Sequence, residues 1–275
     1  DGGTGTGGIA AVGQAGIGTN NLIDFQDDFD IQAQGVGGTG LTANAGQGVG
    51  GTPIVFVSQG LTMQFPGFAN IVAGGFGGNY LGAGPAFAGN GLGGTARLEL
   101  SGPGSGGVIT STGDVQVRGN GVGGEAVATG NNATGGNGIG GTARLSGLTA
   151  GLISIDGVTT VAAASSGGDG RFGGNASLGS AIVQSTAAGA TLNLHNTLVD
   201  INEDGGASTN GGVASGNAVA GNAQIVSTNG GAITITGLAQ VTASGTSANL
   251  TAGSDGGNGT GGTASISQNT VGTVN

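Results

Sequence analysis

The chain has no cysteine and no lysine, only four prolines and one histidine, and its 275 residues are 3% aromatic and 7% charged. Without cysteine there are no disulfides and no Cys-ligated zinc. So few large side chains cannot fill a compact globular core of this length. Four arginines against fourteen acidic residues give a net charge of -10 and a pI near 4.1. That surface repels phosphate backbones and anionic lipid, so nucleic acid is not an expected partner. No uninterrupted apolar run reaches the roughly 18 residues of a membrane helix, so no membrane insertion of this segment is expected. Neither a signal peptide nor an initiating Met opens the chain, which reads as a processed product or a window of something longer.

What is present is glycine, 70 residues of it, with 36% hydrophobic residues and a mean hydropathy of +0.18. That is too apolar for a typical disordered tail. Backbone pairing and small aliphatic side chains must therefore supply most of the stability.

The chain repeats. Residues 1 to 21 laid on 255 to 275 match at Asp1/Asp255, Thr6/Thr260, Ala10/Ala264, Gln14/Gln268, Thr19/Thr273 and Asn21/Asn275, apart from shared glycines. Within that span a column of two apolar residues around a polar one recurs: Ile23-Asp24-Phe25, Met63-Gln64-Phe65, Ile109-Thr110-Ser111, Ile153-Ser154-Ile155, Leu192-Asn193-Leu194 and Ile233-Thr234-Ile235. The alternation has the period of a half-buried strand. Two residues on stand Asp27, Gly67, Gly113, Gly157, Asn196 and Gly237, types that tolerate positive φ, so a corner with left-handed or sharply bent backbone is expected there. A β-branched residue follows four positions later at Ile31, Ile71, Val117, Val161 and Val241, with Ile201 displaced by one. The corners lie 39 to 46 residues apart, about 42 on average. A second column runs through "GGTPIV" at Gly50, "GGTARL" at Gly93 and Gly140, "GGNASL" at Gly173, "GNAQI" at Gly221 and "GGTASI" at Gly261.

Glycine every few residues disfavours helix by about 1 kcal/mol per interior position. The expected fold is therefore all-β: a parallel β-solenoid (β-helix) of about six 42-residue Gly-rich repeats, one repeat domain over residues 1–275, within a longer array or filament. A coil of about 21 residues would give two coils per repeat and a rod on the order of 60 Å. The Gly-rich arms suit tight corners, protruding loops or packed polyglycine-II-like strands. A six-bladed propeller shares the period but needs larger residues between blades.

The grammar "GGTARL … ITITG … VTASG … GGNGTGGTASI" resembles the Gly-rich repeat regions of large bacterial exoproteins, the filamentous-haemagglutinin-like and autotransporter-passenger adhesins. The resemblance implies a right-handed parallel β-solenoid exported to the extracellular cell surface. Its expected role is structural and non-enzymatic, in adhesion, biofilm or filament formation. The implied partners are further copies or repeats, and host or surface carbohydrate.

No catalytic, cofactor or metal residue is assigned. Asp24, Asp27, Asp28 and Asp30 could ligate Ca²⁺, but Asp24, Asp28 and Asp30 alternate with Phe25, Phe29 and Ile31 as a solvated strand face would. Asp200, Glu203 and Asp204 form a second acidic cluster four repeats away, an expected 40 to 80 Å at the strand-stacking spacing. A Ca²⁺-dependent binding module and a carbohydrate-active β-helix enzyme are the alternatives, the latter requiring acids gathered on neighbouring coils. The glycine stretches lack the Asp of calcium nonapeptide repeats, and no helix follows any phosphate-loop-like glycine run. His195 reads as a solvated strand residue without nucleophile or metal partners. Thr110/Thr112 and Thr234/Thr236 do not extend into a regular threonine array. Arg97 and Arg144 share a column and are expected outside, with Glu99 a weak partner of Arg97. Sequons at Asn132, Asn175, Asn249 and Asn258 follow from Asn, Ser and Thr enrichment. Seven of the eight phenylalanines and Tyr80 fall in the first third, from which a wider core is expected there in preference to an apolar face exposed for association.

Overall fold

A computed structural model describes residues 1–14, 21–102, 104, 106–127, 133–209, 213–248, 255–269 and 273–275. Among these residues the chain is all β-strand and turn. The strands pair in parallel, each with its counterpart one repeat away. A sheet of seven two-residue strands runs in one register through Gly5, Gly48, Gly91, Gly138, Ala176, Ala218 and Gly259. A second seven-stranded sheet runs from Ile9–Gln14 to Thr263–Asn269, and a 13-stranded sheet takes the remaining strands.

Neighbouring strands are thus about 42 residues apart in sequence, not 21. The expectation of two coils per repeat is corrected: one repeat makes one layer. Seven layers at about 4.8 Å span roughly 30 Å along the stacking direction, half the expected length. The reason lies in the arms, which are paired extended segments rather than tight corners and so lengthen each layer.

Ile23, Met63, Ile109, Ile153, Leu192 and Ile233 form one column, as expected, with Val274 beyond them. Met63 through Ile233 are fully buried, while Ile23, in the first layer, is only partly covered. Facing them, Val55, Leu98, Leu145, Val183 and Ile225 of the second sheet are fully buried and stack layer on layer. A third column runs Ile31, Ile71, Val117, Val161, Val199 and Val241. The fifth member is Val199 and not Ile201, because the corner at Asn196 is one residue shorter: the register shifts between Ile155/Leu194 and Val158/Asn196. Two further alignments move. Thr142 pairs with Ser180, so Gly179 and not Gly173 continues the "GGTARL" column. Asn21 leads through Leu61, Gly107, Gly151 and Ala190 into the register that sets Ile233 against Val274, which places the Asn21/Asn275 match out of column.

The corners are bends at Asp27, Gly67, Gly113 and Gly237, while Gly157 and Asn196 lie within strands at the register shift. The expected sharp bend is thus present at four of the six and absent at Gly157 and Asn196, and none of the six has positive φ. Glycine is required for another reason: a Cβ on Gly113 would lie 2.2 Å from the Gly67 carbonyl oxygen, and one on Gly157 2.4 Å from that of Gly113. Asp and Asn act as staples between layers. Asp28 Oδ1 accepts from Phe68 N, Asp114 Oδ1 from Val158 N and Asn196 Oδ1 from Leu238 N, each at 2.8 Å.

Beyond the aliphatic core the layer narrows into an outgoing and a returning glycine arm. Their backbones hydrogen-bond across in a zigzag in which Gly46 donates to Gly38, Gly78 to Gly46, Gly89 to Gly78, Gly124 to Gly89, and so on to Gly216. A Cβ on Gly136 would sit 1.9 Å from the Gly89 oxygen. This cross-linked packing of extended glycine chains is the polyglycine-II-like alternative. At the arm's tip Tyr80, Ala86, Ala88, Ala126 and Ala133 make a small second core.

The early aromatics divide. Phe25, Phe29 and Phe65 cluster with ring centroids 4.6 to 5.3 Å apart and belong to the core, Phe29 and Phe65 as buried members and Phe25 packed against them. Phe87 is exposed on the arm, whereas Tyr80 is buried at its tip.

Candidate functional site

Outward side chains form polar columns parallel to the stacking direction, because every second strand residue faces solvent and each layer repeats the register. On the long sheet Asp24, Gln64, Thr110, Ser154, Asn193 and Thr234 share one column. His195 is exposed beside it, its Nδ1 3.1 Å from Thr236 Oγ1. With Ser154, Asp156 and Asn193 it lines an open hollow of about 330 Å³.

The first acidic cluster lies on the solvent face, and its members turn to different neighbours. Gln26 donates to Asp24, Asp28 N to Asp27, Phe68 N to Asp28, and Gln32 and Asn70 to Asp30. Among the described residues no group of three or more His, Asp or Glu is placed to hold a metal ion. Asp30 and Asp200 lie in layers one and five, about 19 Å apart along the stack, closer than the expected 40 to 80 Å because each repeat is a single layer. Arg97 and Arg144 pair in register on the outer face of the second sheet and are half-buried. Glu99 beside them is buried, and no ion pair links it to Arg97 among the described residues.

Glu203 departs most from its expected place. Its cluster read as one acidic surface, yet Glu203 is fully buried, in a column otherwise occupied by Gly35, Gly75, Gly121, Ser165 and Gly245. Gly179 N donates to Oε1 at 2.9 Å and Ser165 Oγ donates to Oε2. Ser165 Oγ in turn accepts from Ser177 N. Burial raises the carboxyl pKa to about 7 against these two hydrogen bonds, and the Asp204 charge adds to the rise. Next to Gly179, Leu178 has φ of 68°, a left-handed conformation that costs a side-chain-bearing residue about 1 kcal/mol or more. A carboxyl wedged into a glycine column thus coincides with a strained corner.

Sequence reading missed an asparagine ladder on the returning arm. Asn90 Oδ1 accepts from Asn137 N, Asn137 Oδ1 from Asn175 N, Asn175 Oδ1 from Asn217 N and Asn217 Oδ1 from Asn258 N, all at 2.8 Å. The signal was present as Gly-Asn-(Gly/Ala) recurring at Asn90, Asn137, Asn175, Asn217 and Asn258. The sequons at Asn175 and Asn258 are members of this ladder; Asn132 and Asn249 lie outside the described residues. Beside the ladder runs a trough of about 380 Å³, walled by Gln47, Asn90, Asn137 and Asn175 on one side and Phe87 and Thr134 on the other. Its floor is made of small residues, Ala45, Ala88, Gly89, Gly135 and Gly173.

No known protein family, curated protein or solved structure matches the chain.

Proposed function

We propose that the chain is a segment of a parallel β-solenoid whose role is structural: a secreted, non-enzymatic piece of a bacterial surface adhesin or extracellular filament. The observation that carries this reading is the parallel pairing through seven layers, interrupted only by the one-residue shift at Asn196. The core column from Ile23 to Val274 runs through all seven layers and the glycine zigzag through six, as a rod built by repetition requires. The outer faces support it too, since their acids are spread over separate layers and turn to separate neighbours instead of converging. The resemblance to Gly-rich exoprotein repeats and the acidic surface fit an extracellular location. Such a segment continues along its axis, within a longer repeat array or by self-association into a fibre with an open head-to-tail interface.

Electron microscopy and intact mass of the native material test this. Extended rods or fibres with an axial spacing of about 4.8 Å are expected. A monodisperse, monomeric species of 25.3 kDa with no extended form would refute it.

A further inference from the structure

The trough on the returning arm has the chemistry of a binding site. Each ladder asparagine gives its side-chain oxygen to a backbone N–H of the next layer, and a backbone N–H can only donate, so the amide orientation is fixed. The Nδ2 groups of Asn90, Asn137 and Asn175 therefore face outward as a row of donors, one per layer at about 4.8 Å, with no acceptor among the described residues. The opposite wall carries one phenyl ring, Phe87, with Thr134 in the same column one layer on. Phe87 is 59% exposed, so its ring is open to a ligand. Between the walls the floor of glycine and alanine lets a ligand approach the backbone. No charged side chain lines the trough.

We infer that this trough binds an extended, uncharged polysaccharide lying along the stacking direction. A pyranose ring offers what the two walls lack: hydroxyl oxygens for the amide donors, and a C–H face for the phenyl ring. An extended β-linked chain advances by about one sugar per layer, which suits a row of one donor per layer. The missing positive charge favours a neutral chain over a uronic-acid polymer, which the protein's own charge of -10 would also repel. The inference deepens the adhesive reading above and rests on it, by naming the ligand class and the face that holds it.

The test is titration of the full chain with cellohexaose, chitohexaose and mannohexaose, with maltohexaose and hexagalacturonate as controls, followed by calorimetry. At least one β-linked neutral oligomer binds, maltohexaose binds more weakly, and hexagalacturonate does not bind. Asn137→Asp keeps the oxygen that holds Asn175 N but removes the outward donor, and should weaken binding roughly tenfold. Phe87→Ala, at an exposed position that folding does not need, should weaken it by at least as much. Circular dichroism of both variants should match the wild type. Failure of every β-linked oligomer to bind would overturn the inference, as would equal binding of hexagalacturonate or unchanged affinity in both variants. So would loss of self-association in the variants without loss of glycan binding, which would make the occupant a second copy. If rods are seen by microscopy while no oligomer binds, the structural reading stands and only this inference falls.

Discussion

Glu203→Gln offers the sharpest test of how the interior is built. An unfolded glutamate titrates near 4.5, whereas burial holds Glu203 at about 7. Below pH 4.5 both states carry the proton and burial of the carboxyl adds no ionisation penalty. Between 4.5 and 7 the unfolded chain releases the proton while the folded chain retains it, so stability falls as pH rises and levels off above 7. Each tenfold change in proton affinity is about 1.4 kcal/mol, so the full loss is on the order of 3 kcal/mol. Glutamine has nearly the same shape, can accept from Gly179 N through its oxygen and donate to Ser165 Oγ through its nitrogen, and carries no charge. Urea denaturation of both proteins at pH 5 and pH 8.5 isolates the residue, because every other carboxyl is common to the pair. The variant should match the wild type within about 1 kcal/mol at pH 5 and exceed it by about 2–3 kcal/mol at pH 8.5. Hydrogen exchange at the Gly179 amide gives a local readout where unfolding is not all-or-none. An identical difference at the two pH values would show that Glu203 is not held in a desolvated site.

Two other perturbations bear on the core and the arm. Ile153→Asp places an unpaired carboxylate among fully buried neighbours in the middle of the stack and should cost several kcal/mol; a denaturant midpoint within error of wild type would reverse the assignment of inner and outer faces. Gly136→Ala drives a methyl to 1.9 Å from the Gly89 oxygen, whereas Gly8→Ala meets nothing within 4 Å. Limited proteolysis should therefore open the arm in the first variant and leave the second like wild type, and equal resistance would contradict the close packing of the glycine strands.

How much could be read in advance differs by feature. The column Ile23 to Ile233 was legible because alternation of apolar and polar residues reports directly on which face is buried, and the recurrence of that pattern fixed the register of the long sheet. The size of a layer was not. Periodicity in sequence is the same whether a 42-residue repeat closes one wide coil or two narrow ones, and only the pairing of Gly48 with Gly91 and of Met63 with Ile109 distinguishes them. Local conformational freedom suggested the corner glycines, but none takes positive φ; what crowds a Cβ is the previous layer's carbonyl at Gly113 and Gly157 and the stapling oxygens of Asp28 and Asn196 at Gly67 and Gly237. Glu203 illustrates the limit most clearly, since its neighbours Asp200 and Asp204 made it look like surface. Its burial depends on the glycine column it interrupts and on Gly179, 24 residues earlier in the chain. The Gly-Asn-(Gly/Ala) recurrence was visible as spelling, but its meaning was not. An asparagine amide becomes a rung only when another backbone N–H lies one layer away, a relation between residues about 42 positions apart that composition and spacing do not contain. By itself the sequence determined strand, repeat and inner face, because these follow from local polarity and period. The tertiary structure alone decided layer size, the buried carboxyl and the outward row of amides, because each is set by what the next layer places within hydrogen-bonding distance.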